Sequence, residues 1–174
     1  LSMTTLRENV SNMSADDIDP NYYDRYPFLI SMCMNVDVTL EMVEYIIKLF
    51  PEIVAWGSWG AESALHCACS NDSCPDSVIE LLVKEFPEAT RELSSILESG
   101  IYYDNGRSIG MGLPIHYYLM RDKVDVRIVK LLVEANPQSL VTADQDCPVY
   151  PIHACVYERS NLGAQETLKY LLEQ

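Results

Sequence analysis

The chain has 174 residues, of which 48% are hydrophobic, enough for one folded domain or a short array of repeats. Acidic residues outnumber basic residues by 26 to 12, and the formal charge of −14 disfavours general attraction to nucleic acid or to anionic membranes. No run approaches the roughly 18 apolar residues of a membrane-spanning helix, and residues 1–25 lack the apolar core of a signal peptide. We therefore expect a cytoplasmic or nuclear protein.

The N-terminal segment, residues 1–25, differs from the rest of the chain. Its stretch 14–20 is acidic and rich in residues that favour turns. We expect this segment to be a leader that precedes the repeats.

From residue 26 onward a short phrase recurs. All three histidines occupy the same place in it, in Ser63-Ala64-Leu65-His66, Leu113-Pro114-Ile115-His116 and Tyr150-Pro151-Ile152-His153. A fourth copy, Tyr26-Pro27-Phe28-Leu29, has leucine in place of histidine. Aligned at Pro27, Ala64, Pro114 and Pro151, the copies are 37, 50 and 37 residues apart. This periodicity predicts a repeat architecture.

Each phrase is followed by a longer segment whose apolar residues have helical spacing. These segments end at Pro51, Pro87 and Pro137, which lie 24, 23 and 23 residues after the aligned positions. The apolar positions are Met42, Val43, Tyr45, Ile46 and Ile47; Val78, Ile79, Leu81, Leu82 and Val83; and Ile128, Val129, Leu131, Leu132 and Val133. Residues 167–172 fit the same frame. We predict a short helix at each phrase and a longer helix before each proline, which can begin another short turn.

The phrase resembles the Thr-Pro-Leu-His-x-Ala signature of ankyrin repeats, and Leu65-His66-Cys67-Ala68 is the fullest match. The resemblance covers residues 26–174 and implies an all-α fold: an ankyrin-like helical solenoid of about four helix-turn-helix repeats with projecting finger loops. The repeats would span 26–62, 63–112, 113–149 and 150–174, the last of them truncated. The resemblance also implies that His66, His116 and His153 join the loops of adjacent units by hydrogen bonds to backbone groups.

The repeats depart from the ankyrin pattern in several places. Their period is 37 residues rather than about 33, and proline replaces the glycine that commonly ends the second helix. Two positions after the histidine, Ala68 and Cys155 are small whereas Tyr118 is large, which predicts irregular packing of the third unit. The first unit has Leu29 and Ser31 at these two positions and is interpreted as a degenerate capping repeat.

One loop is longer than the others. Pro87 and Pro114 are 27 residues apart, against 13 from Pro51 to Ala64, so an insertion of about 13 residues lies within 91–110. Helical spacing at 93–97 and the turn signal Asp104-Asn105-Gly106 predict a short helix followed by a hairpin. A disordered or self-packed loop is the alternative.

The resemblance implies that a partner binds to the finger loops and to the exposed side of the short helices. The fingers would be residues 55–62, 90–112 and 141–149, and tryptophan and tyrosine are favoured at binding hot spots. The predicted partner-binding residues are Trp56, Trp59, Glu62, Ser70, Asn71, Tyr102, Tyr103, Arg107, Ile109, Met120, Arg121, Asp146, Val149, Tyr157 and Glu158. For Trp56 and Trp59, packing into the core is the alternative.

The six cysteines are interpreted as buried, reduced thiols, because the spacing of Cys67, Cys69 and Cys74 does not match paired zinc ligands. His66 and Cys67 are neighbours on a helix and do not face each other, so they do not form a nucleophile and its base. No G-x-S-x-G, phosphate-loop or H-E-x-x-H motif is present in the sequence. We expect neither enzymatic activity nor a cofactor or metal.

Two hypotheses on function follow. The first is a monomeric protein–protein interaction module that binds a protein or peptide through its fingers and an acidic concave surface, and its charge favours a basic partner. The second is a regulatory or substrate-recruiting segment of a larger enzyme whose catalytic domain lies outside this chain. A third hypothesis, a metal or small-molecule sensor built on Cys67, Cys69 and Cys74, predicts metal in the purified protein.

Overall fold

The computed structural model describes residues 2–12, 28–55, 62–94, 112–143, 149–157 and 163–174. The regular elements in these ranges are helical, as the predicted all-α class requires. The α-helices are α1 (Met3–Ser11), α2 (Phe28–Cys33), α3 (Leu40–Leu49), α4 (Ala64–Ser70), α5 (Asp76–Glu85), α6 (Pro114–Leu119), α7 (Val126–Ala135), α8 (Pro151–Tyr157) and α9 (Ala164–Leu172). Three 3₁₀ turns follow α3, α5 and α7, at Pro51–Ala55, Pro87–Arg91 and Pro137–Val141.

The helix boundaries agree with those predicted from the aligned phrases and the prolines. Helices α4, α6 and α8 begin at Ala64, Pro114 and Pro151, where proline in the first turn sacrifices no intrahelical hydrogen bond. Helices α3, α5 and α7 each end two residues before a proline, and that proline begins a 3₁₀ turn.

The helices form two rows that pack against each other. The short helices α2, α4, α6 and α8 contact one another in chain order, and so do the long helices α3, α5, α7 and α9. Each short helix also packs on the long helix that follows it. Of the predicted apolar positions on α3, α5 and α7, Tyr45, Leu81 and Leu131 are half-buried. The others are buried, namely Met42, Val43, Ile46 and Ile47; Val78, Ile79, Leu82 and Val83; and Ile128, Val129, Leu132 and Val133.

The two central short helices differ from the prediction, because they have no exposed side. Every residue from Ala64 to Cys69 and from Pro114 to Leu119 is buried. A helix that is apolar on all sides is typical of a position enclosed by neighbours. The predicted groove residues Ser70, Asn71 and Met120 are half-buried and come at or just after the C-terminal ends of these helices.

The predicted leader contains a packed helix. In α1, Leu6 is fully buried, and the guanidinium of Arg7 lies 5.7 Å from the ring centre of Tyr45 on α3. Arg7 also pairs with Glu41 across 3.8 Å. Met3 and Val10 also pack against the core, but one short helix outside the repeats was too weak a signal for the sequence pattern to reveal. The acidic stretch 14–20 lies outside the described residues.

Tyr118 is accommodated without disturbing the stack, contrary to the predicted irregular packing. It is fully buried, and α6 still packs between α4 and α8. Its hydroxyl donates to the carboxylate of Asp76 and accepts the backbone N–H of Asp125, each across 3.1 Å. The hydroxyl at the end of this large buried side chain therefore has both a hydrogen-bond acceptor and a donor.

Gly163 allows the last helix pair to approach its neighbour. Its φ is +94°, and a Cβ there would overlap the carbonyl oxygen of Val124. We expect Gly163→Ala to lower the free energy of unfolding by about 2 kcal/mol or more. Alanine is disfavoured at positive φ, and its Cβ would also overlap the carbonyl oxygen of Val124. Chemical denaturation measures this change. Asparagine tolerates positive φ, so Gly163→Asn isolates the overlap; full stability of Gly163→Asn would contradict the close approach.

Candidate functional site

The three histidines make the same local hydrogen bond. Nδ1 of His66, His116 and His153 accepts the backbone N–H of the residue three positions earlier, across 3.2, 3.1 and 3.3 Å. An N–H can only donate, so Nδ1 carries no proton and Nε2 is the donor nitrogen. This bond occupies an amide at the beginning of each short helix that lacks an intrahelical partner.

His66 also joins two neighbouring units. Its Nε2 donates to the carbonyl of Gly112 across 3.3 Å, and its ring lies edge-on to Tyr117 with centroids 5.5 Å apart. Burial lowers the pKa of His66 to about 4, so the ring is neutral at neutral pH. His66 thus bonds to the backbone of a loop, as predicted, but its acceptor Gly112 is the last residue of its own unit and directly precedes the next one.

The two ends of the long insertion meet at this point. The backbone N–H of Ser94 donates to the carbonyl of Gly112 across 3.1 Å, and the Ser94 hydroxyl hydrogen bonds with the hydroxyl of Tyr117. Residues 95–111, which lie between them, are outside the described residues. The insertion therefore leaves and rejoins the fold at one point, held by His66, Ser94 and Tyr117.

A second set of bonds joins the turns that follow the short helices. Asn71 donates to the carbonyls of Cys33 and Asn35 in the preceding turn, across 2.9 and 3.0 Å. Arg121, at the equivalent position one unit later, donates to the carbonyls of Asp72 and Cys74 across 3.0 and 2.7 Å. Each of these side chains reaches back and fixes the turn of the unit before it.

Arg121 has additional ionic contacts. Only 6% of its side chain is exposed, and its guanidinium lies 3.3 Å from the Asp76 carboxylate and 3.7 Å from that of Asp72. The guanidinium also lies 5.3 Å from the ring centre of Tyr118. Its positive charge is thus compensated inside the protein, as a buried cation requires.

The turns of three successive units line a pocket of about 610 Å³. We call this region the turn edge. Because each turn joins the end of a short helix to the beginning of the long helix packed on it, the turn edge lies at the opposite end of the helices from the finger loops. The lining residues are Asp72, Ser73, Cys74, Pro75, Asp76, Arg121, Lys123, Val124, Asp125, Val126, Gly163 and Glu166.

The charged groups of the turn edge fall into two classes. Asp76 is engaged by Arg121, and Asp125 by Arg127 across 2.7 Å, a pairing that lowers the pKa of the Asp125 carboxyl. Asp72 and Glu166 line the pocket and are exposed, as is Lys123, and Asp122 is exposed next to the lining residues Arg121 and Lys123. Although Asp72 accepts the backbone N–H of Asp122 across 2.9 Å, about half of its side chain faces solvent. Three carboxylates and one ammonium group are thus the exposed charged groups at the turn edge.

The cysteines offer no activated nucleophile at this site. Cys33, Cys67, Cys69, Cys74 and Cys155 are free and buried, as predicted, whereas Cys147 lies outside the described residues. Burial raises the pKa of the Cys74 thiol, which borders the pocket, to about 12, so the neutral thiol predominates at neutral pH. Within the described ranges, His, Cys, Asp and Glu do not form a group of three or more that could hold a metal ion.

The structure places only part of the predicted partner-binding set. Trp56, Trp59, Tyr102, Tyr103, Arg107, Ile109, Asp146 and Glu158 lie outside the described residues, and of Tyr157 only its place in α8 is described. Met120 is half-buried, and Val149 packs against the core.

Four of the described residues have internal roles. Glu62 and Arg121 are buried, so their prediction as surface contacts is wrong. Burial also raises the pKa of the Glu62 carboxyl. Ser70 and Asn71 are half-buried and direct their side-chain donors to backbone carbonyls within the protein.

The sequence reasoning missed the turn edge itself. Asp72 and Asp122 occur at equivalent positions of two units, immediately after Asn71 and Arg121. In both units a side chain with N–H donors is followed directly by aspartate, and this repeated pair was the sequence signal for the site. The sequence carried no such signal for Glu166 and Gly163, since only the approach of α9 to the preceding turn brings them to the pocket.

Comparisons with known proteins provide no assignment, because no family model and no curated protein matches the chain. Among the described residues, none of the helices has both the length and the apolar character needed to cross a membrane. The function must therefore be argued from the stack and the turn edge.

Proposed function

We propose that this chain is an ankyrin-like repeat module that binds a protein or peptide with basic side chains at the turn edge. One observation carries the proposal: turns from three successive units converge on one pocket, whose lining includes the exposed carboxylates of Asp72 and Glu166. Repetition of one contact surface along a stack is how repeat proteins build extended binding sites.

The ankyrin-like character is supported by the two helix rows and by the bond from His66 to the loop that leads into the next unit. A repeat stack of this kind has a rigid frame, because Asn71 and Arg121 each connect one turn to the turn before it. Binding to a preformed surface costs less conformational entropy than binding to a surface that must first become ordered.

The basic character of the partner follows from charge. The exposed carboxylates of Asp72, Asp122 and Glu166 outnumber the exposed ammonium of Lys123, and the buried guanidinium of Arg121 is already paired. The net charge of −14 adds attraction at longer range, which speeds association and weakens as salt rises. A lysine or arginine side chain that enters the pocket can pair with Glu166 without breaking a bond within the stack.

The test compares two double variants that remove the same charge. Asp122→Asn with Glu166→Gln changes the turn edge, and Glu52→Gln with Glu88→Gln changes exposed 3₁₀-turn residues at the opposite edge. Proteins captured from a lysate of the source cells by the wild type supply candidate peptides, and fluorescence anisotropy then measures their affinity. We expect roughly a tenfold loss of affinity for the turn-edge variant only, with a steeper salt dependence for the wild type.

The predicted finger residues provide the competing outcome. A folded Trp59→Ala, Tyr103→Ala variant tests the finger loops in the same assay. If this variant loses binding while the turn-edge variant retains it, the partner binds at the fingers and the turn edge serves only to hold the stack together.

A further inference from the structure

The last helix pair, α8 and α9, exposes side chains at positions that are buried in the pairs before it. Val156 on α8 is 43% exposed, whereas its equivalent Leu119 on α6 is 1% exposed. Leu172 on α9 is 67% exposed, whereas its equivalent Val133 on α7 is 4% exposed. We call the surface formed by His153, Val156 and Leu172 the end face.

The burial of the equivalent residues has a visible cause. The pair α4 and α5 is covered by α6 and α7, and that pair is covered in turn by α8 and α9. Cys69 and Val83, the equivalents of Val156 and Leu172 in that earlier pair, are also buried. The end face therefore has the composition of an interface between units.

His153 adds a polar requirement to the end face. Its Nδ1 accepts the backbone N–H of Tyr150, so Nε2 carries the donor proton, as it does in His66. In His66 this proton is donated to the carbonyl of Gly112, in the loop that leads directly into the next unit. His153 is exposed, whereas His66 and His116 are buried. A surface that covered His153 as His66 is covered would bring a backbone carbonyl to its Nε2.

We propose that the end face docks a further helix pair of this same repeat type, with its short helix on α8, its long helix on α9 and a backbone carbonyl at His153. The interface would continue the one that α8 and α9 make with α6 and α7. This inference rests on the stack and not on the partner proposed for the turn edge, so failure of either experiment leaves the other proposal standing.

A second copy of the chain is a poorer occupant. Head-to-tail stacking would bring the N-terminal pair, α2 and α3, onto the end face, but α1 already packs on α3 through Leu6 and Arg7. Two chains that each carry a formal charge of −14 also repel each other.

An in-register extension of the whole chain tests the proposal. Leu172 corresponds to Val133, so the equivalent of Asn136 would come directly after Gln174. A second copy of residues 136–174 attached there supplies a 3₁₀ turn, a loop and another helix pair. We expect the extended chain to unfold in a single transition, with Tm about 4 °C or more above that of the parent, because a new interface between units is added.

Leu172→Glu in the original copy is the matched control. Its side chain is exposed in the parent, so the parent Tm should stay within about 1 °C, whereas the extended chain should lose most of its gain. His153→Ala should reduce the gain in the same way. A Tm equal to that of the parent, or a gain that survives Leu172→Glu, would overturn the proposal. Sedimentation of the parent as a dimer that Leu172→Glu dissociates would instead identify a second copy as the occupant.

Discussion

Arg121→Ala should be among the most destabilising single substitutions in this protein, lowering the free energy of unfolding by about 3 kcal/mol. The substitution removes the donors to the carbonyls of Asp72 and Cys74 and the counter-charge of Asp76. It also leaves a gap beside the ring of Tyr118. For a chain of this length such a loss corresponds to a fall in Tm of about 6–12 °C.

Two further variants separate the roles of charge and geometry at Arg121. Arg121→Lys keeps the charge but loses the planar fork that reaches two carbonyls and a carboxylate together, so it should fall between the wild type and Arg121→Ala. Arg127→Ala is the matched control, because Arg127 is exposed and pairs with Asp125 alone. Thermal melts should show little change for this control. Equal losses for Arg121→Ala and Arg127→Ala would contradict the role of Arg121 in joining the turns.

Acid should destabilise the protein through His66. The folded-state pKa of His66 is lowered to about 4 from its usual value of 6.5, because burial disfavours the charged ring. The unfolded state therefore binds the proton more readily, and the contribution of His66 is fully present above pH 6.5 and is lost as pH falls toward 4. Across this range the free energy of unfolding should fall by roughly 3 kcal/mol on account of His66.

The comparison with His66→Gln isolates this contribution from other titrating groups. Burial raises the pKa of Glu62 and Glu92, and these carboxyls act in the opposite direction as pH falls. Both remain in His66→Gln, whose uncharged amide does not titrate. Denaturant midpoints measured between pH 7 and pH 4 should therefore fall more steeply for the wild type. Parallel curves would mean that His66 does not titrate differently in the two states.

The helices were largely predictable because their signals are local. A proline at the beginning of a short helix, a proline after a long helix and apolar residues at helical spacing act within one or two turns of chain. The structure confirms the burial of Val78, Ile79 and their equivalents. The role of His66 was also predictable, through the resemblance to a repeat that uses histidine in the same place.

The site was less predictable, because burial of a polar residue depends on distant parts of the chain. Arg121 follows the end of a short helix and has the composition of a surface residue, yet it is buried against the turn of the preceding unit. Tyr118 breaks the small-residue pattern, but Asp76 and Asp125 satisfy its hydroxyl from two other helices. Neither partner is adjacent in sequence, so periodicity alone could not reveal these contacts.

The sequence by itself determined the all-α class, the helix boundaries and the spacing of the units, since each depends on backbone conformation and local amphipathicity. The tertiary structure alone decided which edge of the stack presents exposed carboxylates, that α4 and α6 are enclosed, and that the end face remains exposed. These features depend on how far one unit approaches the next. That distance is set by residues such as Arg121, through its long side chain, and Gly163, through the absence of one, whose partners lie a whole unit away in the chain.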